Sequence, residues 1–377
     1  MIKFIDLFCG IGGFHSAING ECVLACDIDE KAMEVYKNNY GINPFNDITK
    51  LKEHDIPKHD LLCAGFPCQS FSKAGKRNGF SETRGTMFFE IERILRYHTP
   101  KFIILENVRN LVSHDDGNTW KVITSVLKDI GYRLTAEPLI VSPTDVGTPQ
   151  LRPRVFIVGK YDPINKEKSL DISIKKKKVV SIYSILENNV DKKYNISKKE
   201  EDILTIWDEF YKGIKEKTIG FPIWVDFFNF NGDLSVLPKW KSGFIEKNID
   251  LYKNNKNFID AWLKKYNNLA DLNPSQRKFE WQASTTISSV FDGIIQFRPS
   301  GVRVKKSSSF PALVAMVQIP IIGKLKRKLT PRECARLQNF EDTFIPSSDD
   351  RQAYKQFGNG VNVKIVKELW DQLQKVN

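Results

Sequence analysis

Cys68 stands in the setting that most invites chemistry. In "AGFPCQSFSKAGKRNGF" (64–80) it follows Pro67 where an apolar run ends and a polar stretch rich in Gly, Ser and Lys begins. A buried cysteine is usually a small, inert hydrophobe, whereas a thiol at a strand end, followed by a polar loop, is placed to react. No nearby histidine resembles the base of an amide-hydrolysing Cys–His pair. A thiolate without histidine suits addition to an electron-poor carbon, and neighbouring guanidinium groups would supply the field that favours it.

Five other stretches carry functional groups. "LENV" (105–108) ends an apolar run with Glu106 and Asn107; Glu106 reads as a general acid or as a plain cap or ion-pair carboxylate. "TPQLRPRVFIVG" (148–159) sets Arg152 and Arg154 two apart, on one side of a strand beginning. Two guanidiniums aimed into one crevice suit phosphate or a base carbonyl, and otherwise form an exposed basic edge. "DLFCGIGGF" (6–14) is a strand running into a glycine turn that lets the backbone approach a nucleotide-like ligand. Asp27, closing the next run in "CDIDE", is placed to accept ribose hydroxyls. Nicotinamide, flavin and S-adenosylmethionine sites share this pattern, and a glycine turn also serves helix packing. Asp47 in "NDI" reads as an adenine contact or as a turn aspartate.

The elements that must position these groups are legible over the first 160 residues. Apolar runs at 2–8, 22–27, 60–66, 102–108 and 154–160 read as buried strands, and "EKAMEVYKNN", "GTMFFEIERILRYH" and "TWKVITSVLKDIGY" between them have helical spacing. That alternation predicts an α/β fold with a doubly wound, mainly parallel sheet. Ligands bind such sheets beyond the carboxyl ends of the strands, where the glycine turn, Asp27, Cys68 and Glu106 all fall. From about 161 to 325 the alternation is lost, and "IKKKKVV" reads as surface or linker. It returns near "RKLTPRE" (327–333) and closes with "QFGNGVNVKIVKELWDQLQ" (356–374), read as a glycine turn leading into an amphipathic helix.

Charge separates the same regions. The net charge is +12, and residues 161–330 hold 30 Lys/Arg against 19 Asp/Glu while the rest of the chain is nearly balanced. Five of the seven tryptophans lie in that basic segment, so it reads as a folded insert with a polyanion partner, or as the mark of a lysine-rich proteome. The start lacks the phases of a signal peptide, and the longest apolar tract (310–323) is too short and too interrupted for a membrane span. The expectation is a soluble cytoplasmic protein with six reduced cysteines and no metal.

In order and spacing, "DLFCGIGGF", "GFPCQSFS", "ENV", "QLRPR", "RKLTPRE" and "QFGNGV" resemble the DNA (cytosine-5) methyltransferase family of bacterial restriction-modification type. The resemblance covers residues 1 to about 160 and about 325 to 377. It implies a catalytic domain over 1–160 completed by 346–377, and a smaller target recognition domain over 161–345 that "RKLTPRE" helps organise. It implies methyl transfer from S-adenosyl-L-methionine to C5 of a cytosine flipped out of duplex DNA, through an adduct between Cys68 and C6. Glu106 then matches the residue bonding N3 and the exocyclic amine, Arg154 the arginine reaching the cytosine carbonyl, Arg152 its support, and Asn107 a residue ordering the loop. Phe8, Gly10, Ile11 and Gly13 match the cofactor turn, Asp27 the ribose acceptor, and Ile28, Asp47 and Ile48 the adenine surroundings. Pro67, Met87, Asn359 and Gly360 complete that site; Gly360 stands where many members carry serine.

The resemblance also assigns DNA contacts. Gln69 to about Gly85 match a loop that closes over the duplex, with Gln69, Ser72, Lys73, Lys76 and Arg77 as contacts and Ala74 where some members insert a serine. Arg298, Arg303, Lys305 and Lys306 fall in the recognition core for bases or phosphates. The implied partners are double-stranded DNA and a restriction endonuclease of the same specificity, with the protein acting as a monomer. Three rivals remain: transfer RNA cytosine methylation, whose branch carries a Cys-Phe-Thr signature absent here; a DNA-binding protein with a dead site, which would lose Cys68 or Glu106; and a nicotinamide-dependent oxidoreductase, which explains only the glycine turn.

Overall fold

The computed structural model describes residues 1–67, 87–313 and 318–376 and divides the chain into two units. The first comprises 1–185, 311–316 and 331–377. It begins with β1 (Lys3–Leu7), α1 (Gly13–Ala17), β2 (Glu21–Cys26), α2 (Glu30–Tyr40), β3 (Leu61–Gly65), α3 (Met87–His98), β4 (Phe102–Val108) and α4 (Asn118–Ile130). Four strands follow: β5 (Tyr132–Leu134), β6 (Leu139–Val141), β7 (Gln150–Leu151) and β8 (Arg154–Tyr161).

The central sheet has the order β2-β1-β3-β4-β8-β5, with β6 pairing the other half of β8. β1 to β4 are mutually parallel, and β8 is antiparallel to β4, β5 and β6, so β8 alone runs against the other six strands. The sheet is therefore mainly parallel, as the alternation predicts; β5 and β6 were not legible because each has only 3 residues, and the reversal of β8 was not because an apolar run carries no direction. Strand alternation sends Ile5, Leu7, Leu62, Ala64, Ile103 and Leu105 into one core with Ile91, Ile94 and Leu95 of α3 and Ile123 and Leu127 of α4. Burying each such side chain stabilises by about 1.5–3 kcal/mol. Phe4 and Phe102 lie on the alternate positions and are also buried, so both faces are covered, which is why these strands are continuous apolar runs.

The second unit comprises 186–310 and 317–330. Its helices are α5 (Lys198–Gly213), α6 (Lys239–Asn254) and α7 (Lys256–Lys265), and its strands β9 (Ile223–Trp224), β10 (Lys278–Gln282), β11 (Ile294–Arg298), β12 (Gly301–Lys305), β14 (Ile321–Ile322) and β15 (Arg327–Lys328), with β13 (Phe310–Pro311) where the units divide. A capping box between Ser197 and Glu200 starts α5. The sheet order is β15-β14-β11-β12-β10-β9. Trp207 stacks on Phe279 at 4.8 Å and Tyr211 on Trp281 at 3.6 Å, within a core that also holds Trp262. The tryptophan-rich segment thus has its own aromatic core.

The first unit finishes with α8 (Pro331–Leu337), α9 (Asp350–Asn359) and α10 (Val363–Leu373). Its extent differs from the boundaries expected at 161 and 345. Leu170, Ile172, Ile182 and Ile185 are buried, and backbone bonds from Lys177 to Asp145 and from Val180 to Gly147 fix the lysine run along the first unit. The run of charge hid those buried positions. "RKLTPRE" is divided, with Arg327 and Lys328 in the second unit and Pro331 to Glu333 in the first. Gly358 lies inside α9 instead of in a turn, and the break comes at 360–362, where the Asn362 side chain caps α10.

Candidate active site

β1 ends at Leu7, and the chain turns through left-handed conformations at Phe8 (φ 55°), Gly10 (φ 52°) and Gly12 (φ 85°) before α1. Glycine adopts this region freely; for Phe8 it is strained, at a cost of order 1–3 kcal/mol. The glycines differ in purpose. A Cβ on Gly12 would lie 2.2 Å from the Tyr40 ring, whose hydroxyl donates to the Gly12 carbonyl at 2.9 Å. One on Gly13 would meet Val361 at 2.6 Å. A Cβ on Gly10 would meet nothing within 4 Å, so this position opens into space.

Asp27, just past β2, accepts from the Gly10 N–H at 2.7 Å and the Asp29 N–H at 2.9 Å. Burial raises its pKa against the pull of these bonds. Asp29 caps α2 and pairs with Lys355 of α9 at 2.9 Å.

Glu106 and Arg154 meet because β8 is reversed. Arg154 lies opposite Val108, and alternation puts Val108 and Glu106 on the same face, so the two charged side chains are diagonal neighbours. Arg154 Nε is 3.1 Å from Glu106 Oε1. Burial raises the pKa of Glu106, opposed by the two arginines, and burial lowers that of Arg154, opposed by Glu106. Arg152 is 2% exposed and donates to the carbonyls of Leu313 (2.9 Å) and Gly360 (3.0 Å). Burial and then Arg154 lower its pKa to about 9, which leaves it a cation at neutral pH. Asn107 donates to the Phe66 carbonyl at 2.9 Å and accepts from the Val108 N–H at 2.8 Å, pinning the chain as it leaves β3 toward Pro67.

These groups line one cleft of about 510 Å³ within the first unit. Of the residues singled out in the sequence, Phe8, Gly10, Ile11, Asp27, Ile28, Pro67, Glu106, Asn107, Arg152, Arg154, Asn359 and Gly360 are in its wall. Four are not among its lining residues. Gly13 packs under Val361, Ile48 is in the core, and Met87 packs against that core at the start of α3. Asp47 caps a short turn through Thr49. Cys68, Gln69, Ser72, Lys73, Ala74, Lys76 and Arg77 lie outside the described residues. Sequence reading missed Asp29, Lys355 and Gln356; only Asp29, an acid just before a helix, carried a recognisable signal. Arg298, Arg303, Lys305 and Lys306 belong to the second unit.

The cleft holds an acid whose protonated form burial favours, two guanidiniums and a carboxylate at a glycine turn. Among the described residues no group of three or more His, Cys, Asp or Glu could hold a metal, and no helix is long and apolar enough to cross a membrane. The open space at Gly10, the Asp27 carboxylate at its edge and the exposed Ile28 side chain (78%) suit the sugar and base of a nucleoside. The residues present fit S-adenosyl-L-methionine.

Comparison with known proteins points the same way. The type II methyltransferase M.HpaII of Haemophilus parainfluenzae is 35% identical over 96% of this chain and 86% of its own. M.AluI of Cellulosimicrobium cellulans is 32% identical over 97% and 91%, and M.HhaI of Haemophilus parahaemolyticus 30% over 98% and 93%. The crystal structure of S. pombe Dnmt2 methyltransferase superposes with a TM-score of 0.60 at 20% identity, covering 100% of this chain and 99% of that one, a likeness of fold. The family model for C-5 cytosine-specific DNA methylase matches residues 2–375, nearly the whole sequence. With the cleft and its acid–guanidinium pair already in view, the match places this chain in the C-5 cytosine-specific DNA methylase family and makes S-adenosyl-L-methionine its methyl donor.

Proposed function

We propose that the protein methylates C5 of a cytosine rotated out of a short, specific duplex sequence, with Cys68 as nucleophile and the Glu106–Arg154 pair as the seat of the base. The observation that carries this reading is that pair, 3.1 Å apart and largely covered at the strand ends beside the glycine turn. A stacked base hides its ring carbons, so extrusion precedes chemistry at a cost of a few kcal/mol.

Cytosine C5 is a poor nucleophile until addition at C6 makes it enamine-like. The Cys68 sulfur forms a bond to C6, and the electron pair of the C5–C6 double bond is released toward C5 as N3 takes the Glu106 proton. Burial of Glu106 supports this role, because it favours the protonated acid. Arg154 bonds the ring carbonyl oxygen and holds the base flat; Arg152, fixed by Leu313 and Gly360, supports it from behind. Asn107 anchors Phe66, two residues before the nucleophile. When bound, S-adenosyl-L-methionine would supply the methyl group that C5 takes, with S-adenosyl-L-homocysteine as the released product. N3 then returns its proton to Glu106, and loss of the C5 proton to solvent with expulsion of the Cys68 sulfur restores the aromatic ring.

Gly10, Asp27, Ile28, Pro67, Asn359 and Gly360 hold the cofactor in this reading, with Phe8 and Ile11 shaping its turn. Gln69, Ser72, Lys73, Ala74, Lys76 and Arg77 serve the DNA, and the second unit reads its sequence through Arg298, Arg303, Lys305 and Lys306. The enzyme works in the cytoplasm as a monomer, beside an endonuclease of the same specificity. Bisulfite sequencing of plasmid from a methylation-free host tests the reaction. Protected cytosines within one motif are expected with the wild type and none with Cys68→Ser, which keeps cofactor and DNA binding; substantial turnover by Cys68→Ser removes it as the nucleophile. Protection of transfer RNA but not plasmid would move the activity to RNA.

A further inference from the structure

The six-stranded sheet of the second unit has two unlike faces. Phe279, Trp281, Ile295, Val302 and Val304 face its aromatic core. Alternation puts Glu280, Gln296, Arg298, Arg303 and Lys305 on the other. The register sets Glu280 of β10 and Gln296 of β11 on either side of Arg303 of β12. Arg303 Nε donates to Glu280 Oε2 at 2.7 Å, and Nη2 lies 2.6 Å from the same oxygen. Both side chains are largely covered, 20% and 14% exposed.

This contact occupies one edge of the guanidinium and spares another. A guanidinium has five N–H donors in a fixed plane; Glu280 takes the pair on the Nε side. The end edge, with one N–H on each Nη, has no bond to it among the described residues. That edge matches the O6 and N7 acceptors of guanine, which lie side by side in the major groove. A phosphate contact would gain from an unneutralised cation, whereas a carboxylate beside the arginine cancels attraction to the backbone and instead fixes the plane of the fork. Arg298, by contrast, has the neutral Gln318 side chain as its partner, at 3.3 Å, and keeps its full charge for the backbone.

We propose that Arg303, held flat by Glu280, reads the O6/N7 edge of one guanine in the target sequence, making Arg303 a specificity-determining residue and Glu280 its positioning residue. This rests on the reading of the chain as a sequence-specific DNA methyltransferase.

The test uses the full-length enzyme on duplexes carrying its own motif, as found by bisulfite sequencing, with each guanine in turn replaced by 7-deazaguanine, which lacks the N7 acceptor. For the wild type, one position should lower kcat/KM roughly 5- to 50-fold, the share of a bidentate contact that N7 carries. In Arg303→Leu/Glu280→Leu, which removes both charges together, that position should become silent while penalties at other guanines persist. Glu280→Gln, which keeps the arginine, should reduce discrimination at the same base pair alone. Equal 7-deazaguanine profiles for wild type and double variant, or a uniform loss at every position, would overturn the assignment and leave Arg303 a phosphate or structural residue. Absence of any DNA methylation by the wild type would instead bring down the activity reading, and this assignment with it.

Discussion

A carboxylic acid at the end of a strand, with a guanidinium 3.1 Å away, would ordinarily be ionised. Here burial outweighs the arginines and pushes the Glu106 pKa up. A carboxyl with a raised pKa is protonated below it and loses its proton as pH rises through it. Addition of the thiolate needs the acid protonated, so the rate should climb with pH as thiolate forms and then fall as Glu106 ionises. Glu106→Gln should cost about 10²–10⁴-fold in kcat and lack the falling limb; pH–rate profiles of both forms check this, and an unchanged limb would assign it to another group. At this scale much was legible. Glu106, Arg152 and Arg154 were readable because their types are rare at the ends of apolar runs. The Lys355–Asp29 pair was not, since its partners are 326 residues apart and the local signal at Asp29 marks a helix cap, not a cleft.

The glycine turn depends on the element behind it. Tyr40, at the end of α2, donates to the Gly12 carbonyl and fills the space a Cβ would need. Gly12→Ala meets both a ring at 2.2 Å and a φ of 85°. It should destabilise by about 1–3 kcal/mol and weaken S-adenosyl-L-methionine binding. Calorimetric titration and thermal melting check both; intact affinity would mean that the turn tolerates the shift. The element scale is where sequence reading was most uneven. β1 to β4 and β8 announce themselves as continuous apolar runs, because both sheet faces are covered. The direction of β8 was invisible, since a run of apolar residues has no sense, yet that direction is what brings Arg154 to Glu106. The lysine run at 175–178 masked a segment that backbone bonds and buried isoleucines hold to the first unit.

Across the whole molecule, acid sensitivity should concentrate in the first unit. Burial lowers the pKa of His15 and of His59 to about 4 from an ordinary 6.5. A histidine depressed in the fold contributes stability above its unfolded pKa. That contribution is lost as pH falls from about 6.5 through about 4, where the unfolded chain takes up protons that the fold refuses. Melting temperature should therefore drop across this window, and His59→Gln, at the more deeply covered site, should flatten the drop. A variant as acid-sensitive as the wild type would place the effect elsewhere. Charge asymmetry at this scale was plain from composition, and the five tryptophans of the basic segment marked it as folded. The division of "RKLTPRE" between two units was not, because a motif in sequence carries no mark of where one unit stops.

The cleft draws on residues 8–14 and 106–154, and on 355–361 of α9 and the turn beyond it. Arg152 is held by a carbonyl at 360. During synthesis, then, the ribosome must deliver almost the entire chain, second unit included, before the cofactor turn has its far wall or the arginine its clamp. A nascent chain therefore lacks a finished cleft until the whole second unit has already been made.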